Sequence, residues 1–141
     1  EIHDQEHVLT LRTSLIGHEL YTKNELLEWF LSQDKSVQGF SKAIFSGLPT
    51  TEFARVLIEN VLPKKRLFGL YHVSSAPISK LDFLKITSNI YKKKIQIIAD
   101  DSLKIDRTLN SKRFQQDFGY QAPDWENLIL NMYQQQPRAE S

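Results

Sequence analysis

Residues 8–15 read VLTLRTSL, and this stretch decides how the rest of the chain is interpreted. Leu9, Leu11 and Leu15 alternate with polar residues, so all three fall on one face of an extended chain. The pattern predicts a strand with one apolar face, which Gly17 ends. Such a strand has to be covered by a further layer of apolar side chains.

The rest of the chain alternates between a period of two and a period of 3.6, which predicts an α/β fold. Strands are predicted over residues 37–45, as one or two short strands around Gly39, over 67–74 and over 95–99. Helices are predicted to start at Asn24, Thr50, Ser79 and Pro123–Asp124, with a short one that carries Phe114 and Phe118 and stops at Gly119.

Two of these helices have clear signals at their first residues. Residues 47–49 predict a turn, and Thr50 is predicted to cap the helix that Pro63 ends. Ser79 is predicted to cap the next helix, with Asp82 three residues later, and this helix runs to about Tyr91. The apolar stripe predicted for the Thr50 helix consists of Phe53, Ala54, Leu57, Ile58, Val61 and Leu62.

The composition suits one globular domain, or a part of a larger one, with 40% hydrophobic and 11% aromatic residues among 141. The 18 basic and 17 acidic residues nearly cancel, which argues against a nucleic acid or an anionic membrane as partner. The absence of cysteine excludes a disulfide framework, a thiolate metal site and a cysteine nucleophile. The sequence contains no Gly-x-Gly-x-x-Gly loop for a nucleotide phosphate, and no apolar run of the roughly 18 residues that a membrane span requires.

The histidines do not form a metal-binding or catalytic motif. His3, His7 and His18 are close in sequence, but their spacing does not place two of them on one helical face beside a carboxylate. His72 lies inside a predicted strand, where a histidine more often has a structural role. A serine–histidine–acid triad is defined by geometry, and no Gly-x-Ser-x-Gly elbow supports one. We therefore predict no metal site.

Two basic clusters, residues 64–66 and 92–94, follow the predicted C-termini of helices. The helix macrodipole favours cations there, so these clusters have a structural explanation. The segments around Phe114 and Trp125 resemble a helix-turn-helix in outline, but the second helix carries no lysine or arginine to reach DNA. We therefore expect no nucleic-acid partner.

One cation stands apart from these clusters. Arg107 is predicted to lie in a loop between a strand and a helix, with only Lys104 as a basic neighbour. Its planar guanidinium can form a surface ion pair, or it can hold a phosphate through two parallel hydrogen bonds. The local sequence leaves both interpretations open.

Six short segments follow one another in a recognisable order. They are LRTSLIG at 11–17, GLPT at 47–50, GLYHVS at 69–74, the helix from Ser79, DRTLN at 106–110, and Gly119-Tyr120 with the helix around Trp125. In this order they resemble the extended short-chain dehydrogenase/reductases that act on nucleotide sugars, and in particular the dTDP-4-dehydrorhamnose reductase group. The resemblance spans about residues 8–133.

The sequence departs from that family where the cofactor and catalytic motifs are expected. It contains no Gly-rich dinucleotide loop and no Tyr-x-x-x-Lys pair. The family's Asp-Gln before Gly-x-Pro-Thr is replaced by AIFS at 43–46, Leu15 stands where an aromatic is common, and Thr108 replaces a proline. The resemblance therefore implies a C-terminal substrate-binding region over 1–133, with 8–15 as a strand of the family's Rossmann sheet, and a frayed polar tail over 134–141.

The resemblance implies a cytoplasmic, NAD(P)-dependent oxidoreductase that reduces a nucleotide sugar. Thr13, Ser14 and Leu15 would lie near the nicotinamide or the sugar ring. Arg107 would hold the diphosphate, and Thr50 with its helix N-terminus would assist. NAD or NADP would serve the full-length enzyme without binding this chain tightly. Since the chain would contain no catalytic residue, it is expected to be inactive alone.

The implied partners are a nucleotide-sugar substrate, the N-terminal Rossmann half and, through the uncovered strand at 8–15, a second copy of the chain. Two further interpretations stay open. One is a sugar-nucleotide epimerase or dehydratase of the same superfamily, and the other is a non-catalytic interaction domain of the same shape.

Overall fold

The structure, a computed structural model, describes residues 8–16, 26–64 and 68–135. His3, His7, His18 and the predicted helix start at Asn24 lie outside these ranges, as do residues 136–141 of the predicted tail. Within the described ranges, helices and strands are interspersed along the chain. The predicted α/β fold class is therefore confirmed.

The strand predicted over 8–15 is divided into β1 (Leu9–Arg12) and β2 (Leu15–Ile16). β1 pairs in parallel with β5 (Gly69–His72), and β2 pairs in parallel with β4 (Leu48–Pro49). The turn predicted over 47–49 is therefore wrong for its last two residues, which form a strand.

The chain changes its pairing partner at Thr13 and Ser14, and the alternation of faces stops there. Leu9 and Leu11 pack on the core, but Leu15 is 43% exposed. The prediction that Leu15 shares an apolar face with the two earlier leucines is therefore wrong.

The three-stranded sheet has the order β6 (Ile78–Ser79), β3 (Ser36–Phe45) and β7 (Gln96–Arg107). Its central strand β3 pairs in parallel with β7 and antiparallel with β6. β3 matches the predicted span of 37–45 to within one residue, whereas β7 is longer than the sequence predicts. β3 is one continuous strand of 10 residues, and β7 has 12 residues instead of ending at Ala99.

β7 continues past Asp100 and Asp101 for two reasons. It lies at the edge of the sheet, where charged side chains can face solvent. A register shift between Phe40 and Lys42 also lets β7 bulge and rejoin its partner. Arg107 is consequently the last residue of a strand, and its predicted loop position is wrong.

Three helices have the ends that the sequence predicts. α3 (Lys80–Tyr91) begins after Ser79, whose Oγ accepts a hydrogen bond from the backbone N–H of Asp82 at 3.0 Å. α4 (Lys112–Phe118) ends at Gly119, which adopts the left-handed conformation. α5 (Trp125–Gln134) begins after Asp124, whose side chain accepts a hydrogen bond from Asn127 N–H.

α2 (Thr50–Val56) differs from its prediction at the start and along its length. Pro49 occupies the cap position without a side-chain hydrogen bond, so the predicted Thr50 cap is wrong and Thr50 is the first helical residue. The helix continues into a π-helical turn over Leu57–Val61, which rotates the side chains that follow.

The burial along α2 and the π-helical turn differs from the predicted apolar stripe. Val56 and Val61 are buried, whereas Ile58 and Leu62 are each about two-thirds exposed. Ala54 is exposed as well. The predicted apolar stripe is therefore wrong for Ala54, Ile58 and Leu62.

α1 (Leu26–Leu31) is a short helix that buries Leu27 and Phe30 completely. Lys93, which follows α3, donates a hydrogen bond from Nζ to the carbonyl oxygen of Leu31 at 2.9 Å. A cation of the 92–94 cluster therefore stabilises the C-terminal end of another helix.

Two clusters of buried side chains fill the fold. The first contains Phe30, Phe83 and Trp125, and Ile16 of β2 belongs to it. The second contains Tyr71 and Phe114, and β1 packs against it. The chain therefore crosses from one cluster to the other at Thr13 and Ser14.

Candidate functional site

A cavity of about 450 Å³ lies at the carboxyl ends of β3 and β7. Ligands of parallel sheets bind outside the carboxyl ends of the strands, so this is the expected place for a site. We refer to it as the carboxyl-end cavity. Its lining residues are Ser14, Leu15, Ile16, Leu26, Ala43, Ile44, Phe45, Lys80, Ile105 and Arg107.

Ser14 is held in the wall of this cavity by its backbone. Its carbonyl oxygen accepts a hydrogen bond from the backbone N–H of Leu48 at 2.8 Å. A Cβ atom at Gly47 would lie 2.6 Å from the same oxygen, so only glycine permits this approach. The Gly-Leu-Pro-Thr segment therefore fixes the position of the backbone at Ser14.

β7 brings Arg107 to the same cavity. Ile105 and Arg107 are two residues apart and lie on one side of the strand, whereas Lys104 and Asp106 lie on the other. Arg107 forms no ion pair with any residue in the described ranges. Its charge is therefore available to an anion in the cavity.

The residues around Arg107 are fixed by hydrogen bonds. The backbone N–H of Thr108 donates to Asp106 Oδ1 at 2.9 Å, and hydrogen bonding from the side chain and backbone of Thr108 holds the pKa of Asp106 below its usual range. Leu109 N–H donates to Ser46 Oγ at 2.8 Å, and the Leu109 carbonyl oxygen accepts from Ser74 Oγ at 3.0 Å. These bonds join the end of β7 to the residues that follow β3 and β5.

The structure brings together three of the five residues predicted for the site. Ser14, Leu15 and Arg107 come from distant parts of the sequence and line one cavity. This juxtaposition depends on strand pairing, which no local pattern encodes.

Thr13 and Thr50 lie beside the carboxyl-end cavity and do not line it. Thr13 Oγ1 is buried and has no hydrogen-bond partner in the described part of the chain. Thr50 Oγ1 donates a long hydrogen bond of 3.4 Å to the carbonyl oxygen of Ile16, which does line the cavity.

Sequence reasoning missed Lys80 as a site residue. Lys80 lines the carboxyl-end cavity and is the first residue of α3. A lysine at that position opposes the helix macrodipole, which favours anions at the N-terminus. This local conflict was the one signal in the sequence that could have identified Lys80.

Other kinds of site are not found in the part of the chain that the structure describes. Residues 8–16, 26–64 and 68–135 contain no cluster of three or more side chains suited to a metal ion. No helix in these ranges combines the length and the apolar character needed to cross a membrane. His72 lies half-buried in β5 and does not line the carboxyl-end cavity.

No protein-family profile matches the sequence, and no curated protein matches it. Solved structures do match the fold. A dTDP-4-dehydrorhamnose reductase from Bacillus anthracis, in complex with NADP, superposes with a TM-score of 0.73 at 16% identity, over 90% of this chain and 48% of that one. An orthologous reductase from Clostridium acetobutylicum has a TM-score of 0.71 at 13% identity, over 88% and 47%.

A UDP-N-acetylglucosamine 4-epimerase from Bacillus cereus is also similar, with a TM-score of 0.68 at 13% identity, over 88% of this chain and 46% of that one. The chain thus spans about half the length of each of these structures. The resemblance seen in the sequence motifs is confirmed at the level of the fold: this chain has the fold of a part of the nucleotide-sugar reductases and epimerases of the extended short-chain dehydrogenase/reductase type.

Proposed function

We propose that this chain binds a nucleotide sugar, as the substrate-binding part of an NAD(P)-dependent reductase of the dTDP-4-dehydrorhamnose type. The observation that carries the proposal is the cavity shared by Arg107, Ser14 and Leu15 at the carboxyl ends of the strands. The similarity to two dTDP-4-dehydrorhamnose reductases supports the reaction class.

Arg107 holds the diphosphate in this proposal. A guanidinium stays charged, and its paired N–H donors match two phosphate oxygens. The described lining of the carboxyl-end cavity contains two cations, Arg107 and Lys80, and no carboxylate. Apolar neighbours such as Ile105 and Phe45 limit the water around the ligand, which strengthens its attraction to these charges.

Ser14 and Leu15 contact the sugar or the nicotinamide. Ser14 offers a hydroxyl group to a polar substituent, and Leu15 offers an apolar side chain to the face of a ring. Thr50 acts as a positioning residue, since its hydroxyl group holds the Ile16 carbonyl and lies behind the cavity wall.

The residues of this chain fit one part of an NAD(P) cofactor. Thr13 Oγ1 is a buried polar atom without a protein partner in the described ranges, and it is suited to the nicotinamide amide. The sequence has no Gly-rich loop for the cofactor's pyrophosphate. When bound, NAD(P) supplies a hydride, and this chain holds the sugar in position to receive it. The proton donor is expected from the part of such enzymes that this chain does not cover.

The affinity for dTDP tests the role of Arg107. Arg107→Ala removes two charge-assisted hydrogen bonds to the diphosphate, so dTDP should bind about 10- to 100-fold more weakly in isothermal titration calorimetry. Lys104→Ala is the matched control, because it removes the same charge from the opposite side of the same strand. We expect the control to change the affinity by less than about twofold. If the wild-type chain and Arg107→Ala bind dTDP with equal affinity, the proposed contact between Arg107 and the diphosphate is refuted.

An epimerase is the second candidate, because the epimerase from Bacillus cereus shares the fold. The two candidates differ in the fate of the hydride. A reductase leaves it on the product and consumes NAD(P)H, whereas an epimerase returns it to the same sugar. Net oxidation of NAD(P)H by the full-length enzyme therefore separates them. A non-catalytic interaction domain would bind no nucleotide diphosphate.

A further inference from the structure

A second cavity, of about 580 Å³, lies where the segments that follow β5 and β7 meet the start of α4. We refer to it as the Asn110 groove. Its walls include Asn110, Gln115, Gln121 and Ala122, and none of its lining residues lines the carboxyl-end cavity. Small-molecule sites typically have volumes of about 300–1,000 Å³. The groove is therefore a separate space that is large enough for a ligand of its own.

We propose that the Asn110 groove binds an uncharged sugar ring that carries no nucleotide. The amide side chains of the walls contact the hydroxyl groups of the sugar, and small apolar side chains contact its C–H face. The proposal goes beyond the proposed function, because it requires neither the diphosphate contact of Arg107 nor a cofactor.

The floor of the groove is fixed by hydrogen bonds within the protein. Ser74 and Ser75 line the groove and are buried. Ser74 Oγ donates to the Leu109 carbonyl oxygen at 3.0 Å, and Ser75 Oγ donates to the Gly47 carbonyl oxygen at 2.7 Å. The floor therefore keeps its shape without a ligand, which lowers the entropic cost of binding one.

The walls supply the hydrogen-bonding groups that are free for a ligand. Asn110 Oδ1 accepts from Lys112 N–H at 3.0 Å, which leaves the NH₂ group of this amide free. Gln115 Nε2 donates to Ser111 Oγ at 3.1 Å, which leaves its carbonyl oxygen free. The Gln121 side chain has no partner among the residues that the structure describes. The groove thus offers donors and acceptors together, and a hydroxyl group of a sugar is both.

The charge and the apolar surface of the groove favour a sugar over other ligands. The lining contains no carboxylate, which argues against a metal ion, and Lys112 is its one charged side chain. Ala76, Pro77 and Ala122 provide small apolar surfaces for the C–H face of a ring. The lining has no aromatic side chain on which a flat aromatic ligand could stack.

Two-dimensional nuclear magnetic resonance of the isotope-labelled chain tests the site directly, because each amide side chain has its own NH₂ signals. D-glucose, D-galactose, D-mannose and L-rhamnose are titrated singly. We expect at least one of them to shift the NH₂ signals of Asn110, Gln115 and Gln121 in a saturable way. The signals of Gln116, an exposed glutamine of α4 that does not line the groove, should not move. If none of the four sugars shifts the signals of the groove, the proposal is overturned.

Substitutions measure the contribution of the walls to the affinity for the sugar that binds. Gln121→Ala removes hydrogen bonds to the sugar, so the affinity should fall by about 3- to 10-fold. Asn110→Asp should have a similar effect, because it removes the NH₂ donor and keeps the acceptor for Lys112 N–H. Gln116→Ala is the control, and since it removes no contact with the ligand we expect a change of less than about twofold. Unchanged affinity in both wall variants would contradict the proposal.

The methyl glycoside of the bound sugar distinguishes two sources of the ring. Equal affinity for the glycoside would identify the ligand as the end of a glycan chain, whereas a loss of affinity would identify a free sugar. Both results support a sugar site in the groove. If inorganic phosphate shifts the signals of the groove and the sugars do not, the groove is an anion site and the proposal fails.

Two further measurements separate this groove from the carboxyl-end cavity and so from the proposed function. Arg107→Ala, which should weaken dTDP, should leave the affinity for the sugar unchanged. Saturating dTDP should leave the sugar-induced shifts of Gln121 in place. Displacement of the sugar by dTDP would mean that the sugar occupies the carboxyl-end cavity, and it would overturn the proposal. If dTDP does not bind at all, the proposed function fails, whereas sugar-induced shifts at Asn110 and Gln121 would still establish the groove as a site.

Discussion

Glu52 has a carboxylate side chain that is buried in the core, and its hydrogen bonds to two residues explain how the fold tolerates it. It lies in α2 with 6% of its surface exposed. Tyr120 donates a hydrogen bond to Glu52 Oε2 at 2.5 Å, and Arg55 donates two more at 2.7 and 3.1 Å. A buried carboxylate without partners would be strongly destabilising, so these three bonds account for its position.

Replacing Tyr120 with phenylalanine should destabilise the chain at neutral pH. The substitution keeps the ring and removes a hydrogen bond to a charged group, so the free energy of unfolding should fall by about 1.5–3 kcal/mol in urea denaturation. Tyr133→Phe is the control, because Tyr133 is a half-buried ring of α5 remote from Glu52 in the hydrogen-bond network. A Tyr120→Phe chain as stable as the wild type would contradict this assignment.

The stabilities of the wild-type chain and of Tyr120→Phe should depend differently on alkaline pH. Burial, and then the hydrogen bond to Glu52, raise the pKa of Tyr120 above its ordinary value of 10. Above pH 10 the unfolded chain releases this proton while the folded chain keeps it, so deprotonation stabilises the unfolded state. Unfolding measured at pH 7, 10 and 11 should show the advantage of the wild-type chain over Tyr120→Phe shrinking above pH 10. A constant difference would mean that the pKa of Tyr120 is not raised.

At the scale of elements, the ends of three helices could be predicted, and the end of β7 could not. Ser79, Gly119 and Asp124 were identified because a cap depends on residues within one turn of it. β7 was predicted too short, because it is maintained by pairing with β3, which lies about 60 residues away in the sequence. A bulge that lets two aspartates remain in an edge strand leaves no local signal.

The packing of α3 on the sheet depends on Gly39 of β3. A Cβ atom at this position would lie 2.6 Å from Leu81 Cδ1, 2.9 Å from Ile97 Cγ2 and 3.1 Å from Leu81 Cα. Gly39→Ala should therefore lower the free energy of unfolding by about 1–3 kcal/mol, because the added methyl group overpacks the interface. Replacing a glycine also restricts the unfolded chain, but this stabilises the folded state by less than ~1 kcal/mol.

Thermal and urea denaturation of Gly39→Ala would measure this effect, with Ser36→Ala as the control at the exposed start of the same strand. The control should remain within about 0.5 kcal/mol of the wild type. A stabilised Gly39→Ala chain would show that α3 can shift away from the sheet at little cost.

At the scale of the whole molecule, the fold covers about half the length of the enzymes it resembles, and we propose their cofactor half as its partner. The sequence carries neither a Gly-rich loop nor a Tyr-x-x-x-Lys pair. Ile58 in the π-helical turn and Leu62 directly after it are each about two-thirds exposed.

The isolated chain should therefore be unable to reduce a sugar. With NADPH and a dTDP-4-keto sugar, absorbance at the NADPH band should not fall faster than in the protein-free blank. Binding of dTDP, measured in the same buffer, is the control that the chain is folded and competent for the substrate. Turnover that scales with the concentration of the chain would overturn the assignment of catalysis to another part of the enzyme.

The site itself was predictable only in part. Arg107 could be singled out because it is separated from the basic clusters, and the motif order linked Ser14 and Leu15 to it. Lys80 was not identified, because the unfavourable position of its charge at the start of α3 is a weak signal by itself. Its position beside Arg107 follows from tertiary packing.

The hydrogen bond from Lys93 Nζ to the Leu31 carbonyl oxygen ties the end of α1 to the segment after α3. The described part of α1 has six residues, whereas isolated helices below about 12–15 residues are marginal in water, so tertiary contacts stabilise it. Acetylation of Lys93 would remove both the charge and the donor at the end of α1. Leu26 of α1, which lines the carboxyl-end cavity, would then be held less firmly, although Lys93 itself does not line that cavity.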